Sequence, residues 1–571
     1  MPVPGHVLKR LVAKRLGETM NGPTMPGVMP DFIPAPTAAG EILDKAVQKF
    51  GPLKALDFLG RRMDYAELGR LTNAAAAGLQ KLGVVKGTKV GLCLPNCPYS
   101  IIMYFAILKA GGTVVNFNPL YTLKEIETMV REAELDMMVT TDVAVVFNNI
   151  GKLAAQGMFK RVIICPLSEM LPWAKGLAMR LFARKSLGDV PDHAPYMQFR
   201  KLIAGQSVPT PVAVDPLHDM AVLQFTGGTT GTPKAAALSH ANITVNLQQS
   251  LLVMPGLKEG QERFLALLPF FHVFCMTAVM NLGLTIGAEL ILLPKLDIKQ
   301  LMATLYKRKP TVVPGVPTLF TAISNAAEKS GKTDLSFIRL CISGGAALSA
   351  EVKDRFERIS GSHIMEGYGL SETSPVLCFT RLGQEKPGTV GPAVPGTTLE
   401  IRDPANPSIL IPQGETGEIC ARGPQVMLGY YKQPEETAFV FTDGAFRTGD
   451  VGYLDADGCL FIVDRLKDVI ICGGFKVYPR VIEEAAYQHP SVQDAVVIGL
   501  PDTYRGQTPK LYVTLRPGTT LTEDELIAFL KPNLNPIEIP KKVEIRESLP
   551  KTMVGKFSKK ELLAEEAQKS G

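Results

Sequence analysis

Residues Thr226-Gly-Gly-Thr-Thr-Gly-Thr-Pro-Lys234 crowd three glycines, four threonines and a lysine into one short stretch. Such a stretch suits phosphate: glycine lets an anion reach backbone N–H groups, the hydroxyls donate, and the lysine adds a point charge. The apolar run at 220–225 reads as a buried strand and residues 242–251 as a helix, which places the loop between strand and helix. It is not a Walker A loop, because Pro233 breaks the spacing between Gly231 and Lys234. Taken alone, the loop reads first as a Gly/Thr-rich surface turn; the rest of the chain reverses that order.

Other polar stretches stand in order behind it. They are Ser343-Gly-Gly-Ala-Ala347, Glu366-Gly-Tyr-Gly-Leu-Ser-Glu372, Phe446-Arg-Thr-Gly-Asp450, Asp464-Arg465, Cys472-Gly-Gly-Phe-Lys476 and Leu549-Pro-Lys-Thr-Met-Val-Gly-Lys556. His272 lies alone in the apolar run Pro269-Phe-Phe-His-Val273. A lone histidine in such a run is usually a satisfied core residue.

The elements that must position these residues follow an alternating pattern. Helical spacing at 65–82, 98–109 and 123–134 alternates with strand patterns at 89–94, 113–117 and 136–140, and strands recur at 161–165, 220–225, 289–293 and 340–342. Such alternation means parallel sheets covered by helices. After Asp450 a hairpin is expected at 452–463, turning at Asp457-Gly458, followed by the charged connector Asp464-Arg-Leu-Lys-Asp468 and a small α+β unit with helices at 479–488, 523–530 and 559–566. The expected division is an extension at 1–39, a large domain at 40–463, a hinge at 464–468 and a lid domain at 469–571. The fold class is α/β: a large N-terminal domain of stacked, mostly parallel sheets covered by helices, plus a small mobile α+β C-terminal domain.

The chain has 571 residues, 46% hydrophobic and 20% charged, which suits a packed protein of several domains. A net charge of +6 is too dilute for a nucleic-acid binder but fits a polyanionic substrate or an anionic membrane surface. Nine scattered cysteines with no C-x-x-C pair favour reduced thiols in a cytoplasmic compartment. Between Phe264 and Ala288 only His272 can carry charge, yet Pro269, Asn281, Gly283 and Gly287 interrupt the run, so a buried core is expected rather than a membrane span. Two basic amphipathic stretches remain. The first twenty residues read either as a short interfacial helix or as a frayed terminus. Residues 171–185, with Trp173, read first as a solvated helix packed by its leucines and second as a helix lying on anionic lipid. Self-association of two copies is left open.

The order and spacing of these motifs, over residues 40–565, resemble the adenylate-forming superfamily of acyl-CoA synthetases, luciferases and peptide-synthetase adenylation domains. Val115-Asn-Phe-Asn-Pro-Leu-Tyr121, Gly423-Pro-Gln-Val-Met-Leu-Gly-Tyr430 and Phe475-Lys-Val-Tyr-Pro479 make it most similar to the long-chain fatty-acid–CoA ligases. The resemblance implies a two-step reaction on ATP, Mg²⁺, a fatty acid and coenzyme A: acyl-AMP and pyrophosphate first, then thioester and AMP. It implies that Thr226, Gly227, Gly228, Thr229, Thr230, Gly231 and Lys234 hold the β- and γ-phosphates, and that Glu372 binds Mg²⁺. Ser371, where the family usually has threonine, would donate to the α-phosphate, and Tyr368 beside Gly369 would stack on adenine. Gly344, Gly345 and Ala346 would present backbone to adenine and the acyl carbonyl, Asp450 would accept the ribose hydroxyls, and Arg465 would sit beside ribose and phosphate. Lys556 would bridge carboxylate and α-phosphate, and His272 would stand at the mouth of an acyl tunnel with Phe274, Val316 and Pro317 on its wall. Lys467 would mark the hinge that swings Lys556 out and brings Gly473 and Gly474 toward the thiol.

Besides Ser371, one residue and two short stretches depart from the family pattern. Ala235 replaces a glycine; a left-handed backbone there would cost alanine roughly 1–2 kcal/mol. Ser558-Lys559-Lys560 replaces an arginine-bearing run, and Asn535-Pro-Ile-Glu538 replaces a tyrosine–lysine pair near coenzyme A. An aryl or short-chain acid, an acyl carrier protein as acceptor, and a catalytically impaired lipid-binding protein remain the alternatives.

Overall fold

The structure, a computed structural model, describes residues 32–226, 233–552 and 556–570. The basic N-terminal stretch, together with Gly227, Gly228, Thr229, Thr230 and Gly231, lies outside the described residues.

Two eight-stranded sheets build the large part of the molecule. In the first, Lys54–Phe58, Glu289–Leu292, Arg263–Ala266, Val312–Gly315, Leu340–Gly344 and His363–Gly369 run parallel. Antiparallel strands Arg61–Asp64 and Val376–Phe379 close its edges. In the second, Tyr196–Gln198, Arg161–Cys165, Met137–Thr141, Lys89–Cys93, Thr113–Asn116 and Met220–Thr226 run parallel. Parallel strands of one sheet need crossovers, and in the second sheet the helices Pro98–Lys109 and Leu123–Ala133 supply them, while Tyr65–Lys81 leads from the first sheet into the second. Leu123–Ala133 starts at a capping box, with Thr122 and Glu125 each bonded to the other's backbone N–H.

The Pro98–Lys109 helix is apolar on every side, and every residue from Pro98 to Leu108 is buried. A helix of that composition belongs inside a layered core. It joins one cluster with Phe264 and Leu290 of the first sheet and Val90 and Val114 of the second. The run after Arg263–Ala266 turns at His272 and continues as a helical segment, with a π-helical stretch at Met276–Asn281. No described helix is long and apolar enough to cross a membrane.

A third sheet, of five strands, is wholly antiparallel: Thr398–Arg402, Gly417–Arg422, Ala445–Leu454, Phe441–Thr442 and Leu460–Arg465. It was not foreseen from the sequence. The hairpin turning at Asp457-Gly458 was foreseen and is its last pair. A separate five-stranded sheet, packed on Pro479–Tyr487 and Glu523–Leu530, forms the smaller C-terminal part.

Two expectations need correction. Lys234–Ser239 is a strand, paired antiparallel with Met220–Thr226, so the phosphate-loop candidate joins two strands rather than a strand and a helix; the helix expected at 242–251 is present as His240–Val253. The backbone of Ala235 and Ala237 also bonds to Tyr431 and Leu428, so the alanines are held from both sides. Tertiary pairing here overrides alanine's helical preference. Ala235 is extended, opposite Phe225, so it carries no left-handed strain. The second correction concerns residues 171–185. The helix Trp173–Phe182 is not packed by its leucines, because Leu177 and Leu181 are exposed. All nine cysteines are free thiols, as expected.

Candidate active site

Asp450 lies in the strand Ala445–Leu454, opposite Arg465 at the end of Leu460–Arg465. Arg465 Nε is 3.3 Å from Asp450 Oδ1, and the Tyr368 hydroxyl donates to Asp450 Oδ2 at 2.7 Å. The carboxylate is buried yet keeps lone pairs free to accept further hydroxyl donors. Asp450 holds the Arg465 guanidinium above its ordinary value, and burial, with Asp450 beside it, pushes the Tyr368 hydroxyl far up. This corner therefore holds Arg465 and Asp450 as a fixed ion pair.

Glu372 follows the strand His363–Gly369 and the turn through Ser371. It is buried, which raises its carboxyl, and the Tyr430 hydroxyl donates to its Oε1 at 2.9 Å. Lys234 Nζ stands 5.4 Å over the Tyr430 ring and pairs with Glu436. Lys234, Tyr430 and Glu372 thus form one connected group. A lone buried carboxylate with a spare oxygen suits a hard cation that takes its other ligands from phosphate and water, so Glu372 fits magnesium. Thr226 sits opposite Lys234 and donates its hydroxyl to the Lys234 carbonyl at 3.3 Å.

Lys556 comes from the C-terminal part and enters the same space. Its Cε lies 3.2 Å from where a Cβ on Gly345 would sit, and Gly345 has φ +81°, a backbone glycine alone adopts freely. Gly345 and Ala346 are exposed, while Gly344 packs under the Phe274 ring. Burial, and after it Arg465, lower the Lys556 ammonium to about 8. Burial, and after it Lys556, push the His272 imidazole down to about 3. The neutral His272 ring accepts the Phe274 N–H at Nδ1 (3.3 Å), so its own proton resides on Nε2. Phe270 and Phe271, which precede His272, line a small cavity of about 10 Å³ together with Leu92, Tyr104, Ser100 and Asn116.

Lys467 lies in the short turn Leu466–Asp468, its ammonium lowered by burial and then by Arg465. Gly473 and Gly474 are not with the others. They form the turn of the hairpin Ile470–Cys472/Phe475–Val477, where the Gly473 N–H donates to the Arg505 carbonyl.

A model of the AMP-binding enzyme family matches residues 43–431, and one of the AMP-binding enzyme C-terminal domain matches residues 481–556. The chain belongs to the AMP-binding enzymes. This AMP-binding enzyme is 40% identical over 550 residues to the long-chain-fatty-acid–CoA ligase of Bacillus subtilis (strain 168), covering 95% of this chain and 97% of that one. It is 35% identical over 533 residues to the enzyme of the same name from Salmonella typhimurium, covering 91% and 93%. Among solved structures, an anthranilate CoA ligase in complex with anthranoyl-AMP superposes with a TM-score of 0.82 at 25% identity, over 93% of this chain and 98% of that chain.

Two residues of this AMP-binding enzyme join the site without having been singled out. Tyr430 ends a motif that served only to mark the family, yet its ring and hydroxyl link Lys234 to Glu372. Glu366, half-buried, accepts the Leu348 N–H at 3.3 Å just past the Ser343–Ala347 loop. Burial pushes its carboxyl up to about 7, against the field of Arg480. The only sequence signal was its place at the head of the motif Glu366–Glu372.

Proposed function

We propose that this AMP-binding enzyme activates a fatty acid with ATP and passes it to coenzyme A. In the first step a carboxylate oxygen bonds to the α-phosphorus and the bond to pyrophosphate breaks. In the second, the sulfur of coenzyme A bonds to the acyl carbon, AMP leaves, and the thiol proton goes to solvent. Joining two anions in the first step requires positive charge and donors around phosphorus. The observation that carries the reading is the convergence of Lys556, Arg465, Asp450 and the Gly344–Ala346 loop, although Lys556 belongs to a different sheet system.

In this reading Asp450 accepts the ribose hydroxyls, Tyr368 and Gly369 face adenine, and Ser371 donates to the α-phosphate. Thr226, the glycine–threonine loop and Lys234 cradle the leaving pyrophosphate, for which Lys234 gives up Glu436. Glu372 would hold magnesium, whose charge when bound neutralises phosphate oxygens. Lys556 bridges carboxylate and phosphate, and the neutral His272 offers Nε2–H to the acyl carboxyl. Residues 464–468 act as the hinge between units 40–463 and 469–571, Lys467 included. Rotation there withdraws Lys556 and carries Gly473 and Gly474 toward the thiol.

The test is incubation with Mg·ATP and labelled fatty acid, with and without coenzyme A. Acyl-AMP alone and thioester on adding coenzyme A are expected. Acyl-AMP that never yields thioester would move the acceptor to a carrier protein, and activation of aromatic but not fatty acids would move the substrate class.

A further inference from the structure

The Trp173–Phe182 helix faces its apolar side outward. Trp173 is 83% exposed, Leu177 49%, Leu181 62% and Phe182 87%. At the α-helical spacing of about 100° per residue these four, with Ala174 and Ala178, cover one half of the circumference. The other half seats the helix without any large apolar residue being buried. Gly176 is its one buried residue, and a Cβ there would fall 2.4 Å from the Ser168 carbonyl oxygen, so glycine lets the helix backbone lie on the turn Leu167–Met170. Polar contacts complete the attachment: Arg180 Nε donates to Ser168 Oγ at 2.9 Å, Arg180 pairs with Glu169 at 3.4 Å, and Lys175 Nζ donates to the Leu59 carbonyl at 2.7 Å.

The surroundings of the exposed face are mostly cationic, the carboxylate at the helix, Glu169 of the supporting turn, being paired with Arg180. From Met170 to Gly188 there are Lys175, Arg180, Arg184 and Lys185 and no aspartate or glutamate. Arg184 and Lys185 are exposed directly beyond the helix C-terminus. Between the helix and its supporting turn runs a groove of about 510 Å³ with Trp173 and Leu177 on its walls and Arg61, Arg180 and Glu169 beside them. An apolar arc with a tryptophan, bracketed by cations, matches the acyl–headgroup boundary of an anionic bilayer.

We propose that this helix docks the protein on anionic membrane, with Trp173, Leu177, Leu181 and Phe182 in the headgroup–acyl boundary and Arg184 and Lys185 against lipid phosphates. The surface is separate from the site built around Asp450 and Lys556 and stands whether or not the acid activated there is a fatty acid.

Trp173 is the single tryptophan of the chain, so its emission reports on this helix alone. Vesicles of phosphatidylcholine with about one third phosphatidylserine, at low salt, are expected to blue-shift that emission and to float the protein. Pure phosphatidylcholine should bind about tenfold more weakly or worse. The variant Leu181→Glu/Phe182→Glu should lose binding to the anionic vesicles about tenfold or more while activating a water-soluble acid at the parent rate, which establishes that it is folded. An unchanged emission with no flotation overturns the proposal. So does equal binding by the double variant, and so does a blue shift that follows protein concentration without vesicles, which would make the face a contact between two copies.

Discussion

Arg516 of the C-terminal part pairs with Glu351 in the first turn of the helix Ala350–Ser360, at 2.7 Å. That helix begins just after the Gly344–Ala346 loop, so the ion pair ties the C-terminal part to the element bordering the adenine side of the proposed site. It favours the arrangement in which Lys556 points inward. Partly exposed pairs contribute at most about 1 kcal/mol, or about fivefold in an equilibrium. Arg516→Ala should therefore slow acyl-AMP formation by about fivefold or less and leave thioester formation from supplied acyl-AMP unchanged or faster. Single-turnover assays of each half-reaction read this, and the swap Arg516→Glu/Glu351→Arg should recover the first. Equal slowing of both steps would show that the pair holds no particular lid position.

Lys556 acts as a cation in the proposed first step. Its ammonium is held down at about 8, so it is charged at neutral pH and loses its proton as pH rises through that value. The kcat/KM for acyl-AMP formation, which reports on the free enzyme, should fall above about pH 8. Lys556→Arg should keep activity at pH 9 relative to pH 7 better than the parent, though at a lower level. A parent profile flat to pH 10 would contradict the environment assigned to this lysine.

Glu366 gives a stability prediction. Its folded carboxyl titrates near 7 against 4.5 for the ordinary group. A raised carboxyl contributes stability fully below the unfolded value and loses it as pH rises through the folded value. Glu366→Gln removes that loss and keeps an acceptor for the Leu348 N–H. The variant should gain on the parent between pH 5 and pH 8, by up to roughly 3 kcal/mol. Melting temperatures at the two pH values measure it; a gap that does not change with pH would refute the assignment.

Tyr430→Phe removes the hydroxyl that donates to Glu372 Oε1. Groups that orient a metal-binding carboxylate typically matter about 10–100-fold in metal affinity. The magnesium concentration for half-maximal acyl-AMP formation should rise by about tenfold, with little change in the acid's KM. Unchanged magnesium dependence would separate Tyr430, and with it Glu372, from the metal.

Much of this arrangement was legible in the chain because it is local. The apolar spacing of Tyr65–Lys81 and the Asp457-Gly458 turn each act within a few residues, and each appears where expected. What escaped depends on distant partners. Lys234–Ser239 becomes a strand because Met220–Thr226 and Gly429–Tyr430 flank it. Tyr430 matters because folding brings Glu372, 58 positions away, against its hydroxyl. The leucines of Trp173–Phe182 face outward because Gly176, not Leu177 or Leu181, meets the supporting turn, and helical periodicity alone does not say which face is covered.

The central claim is that Lys556 serves acyl-AMP formation and is absent from the second step. Lys556→Ala, assayed in single turnovers, tests it directly. Acyl-AMP formation from Mg·ATP and fatty acid should fall by about 10²–10³, the usual loss of one well-placed charged stabiliser, while supplied acyl-AMP is converted to thioester at close to the parent rate. Full retention of acyl-AMP formation, or equal loss of both steps, would contradict the account.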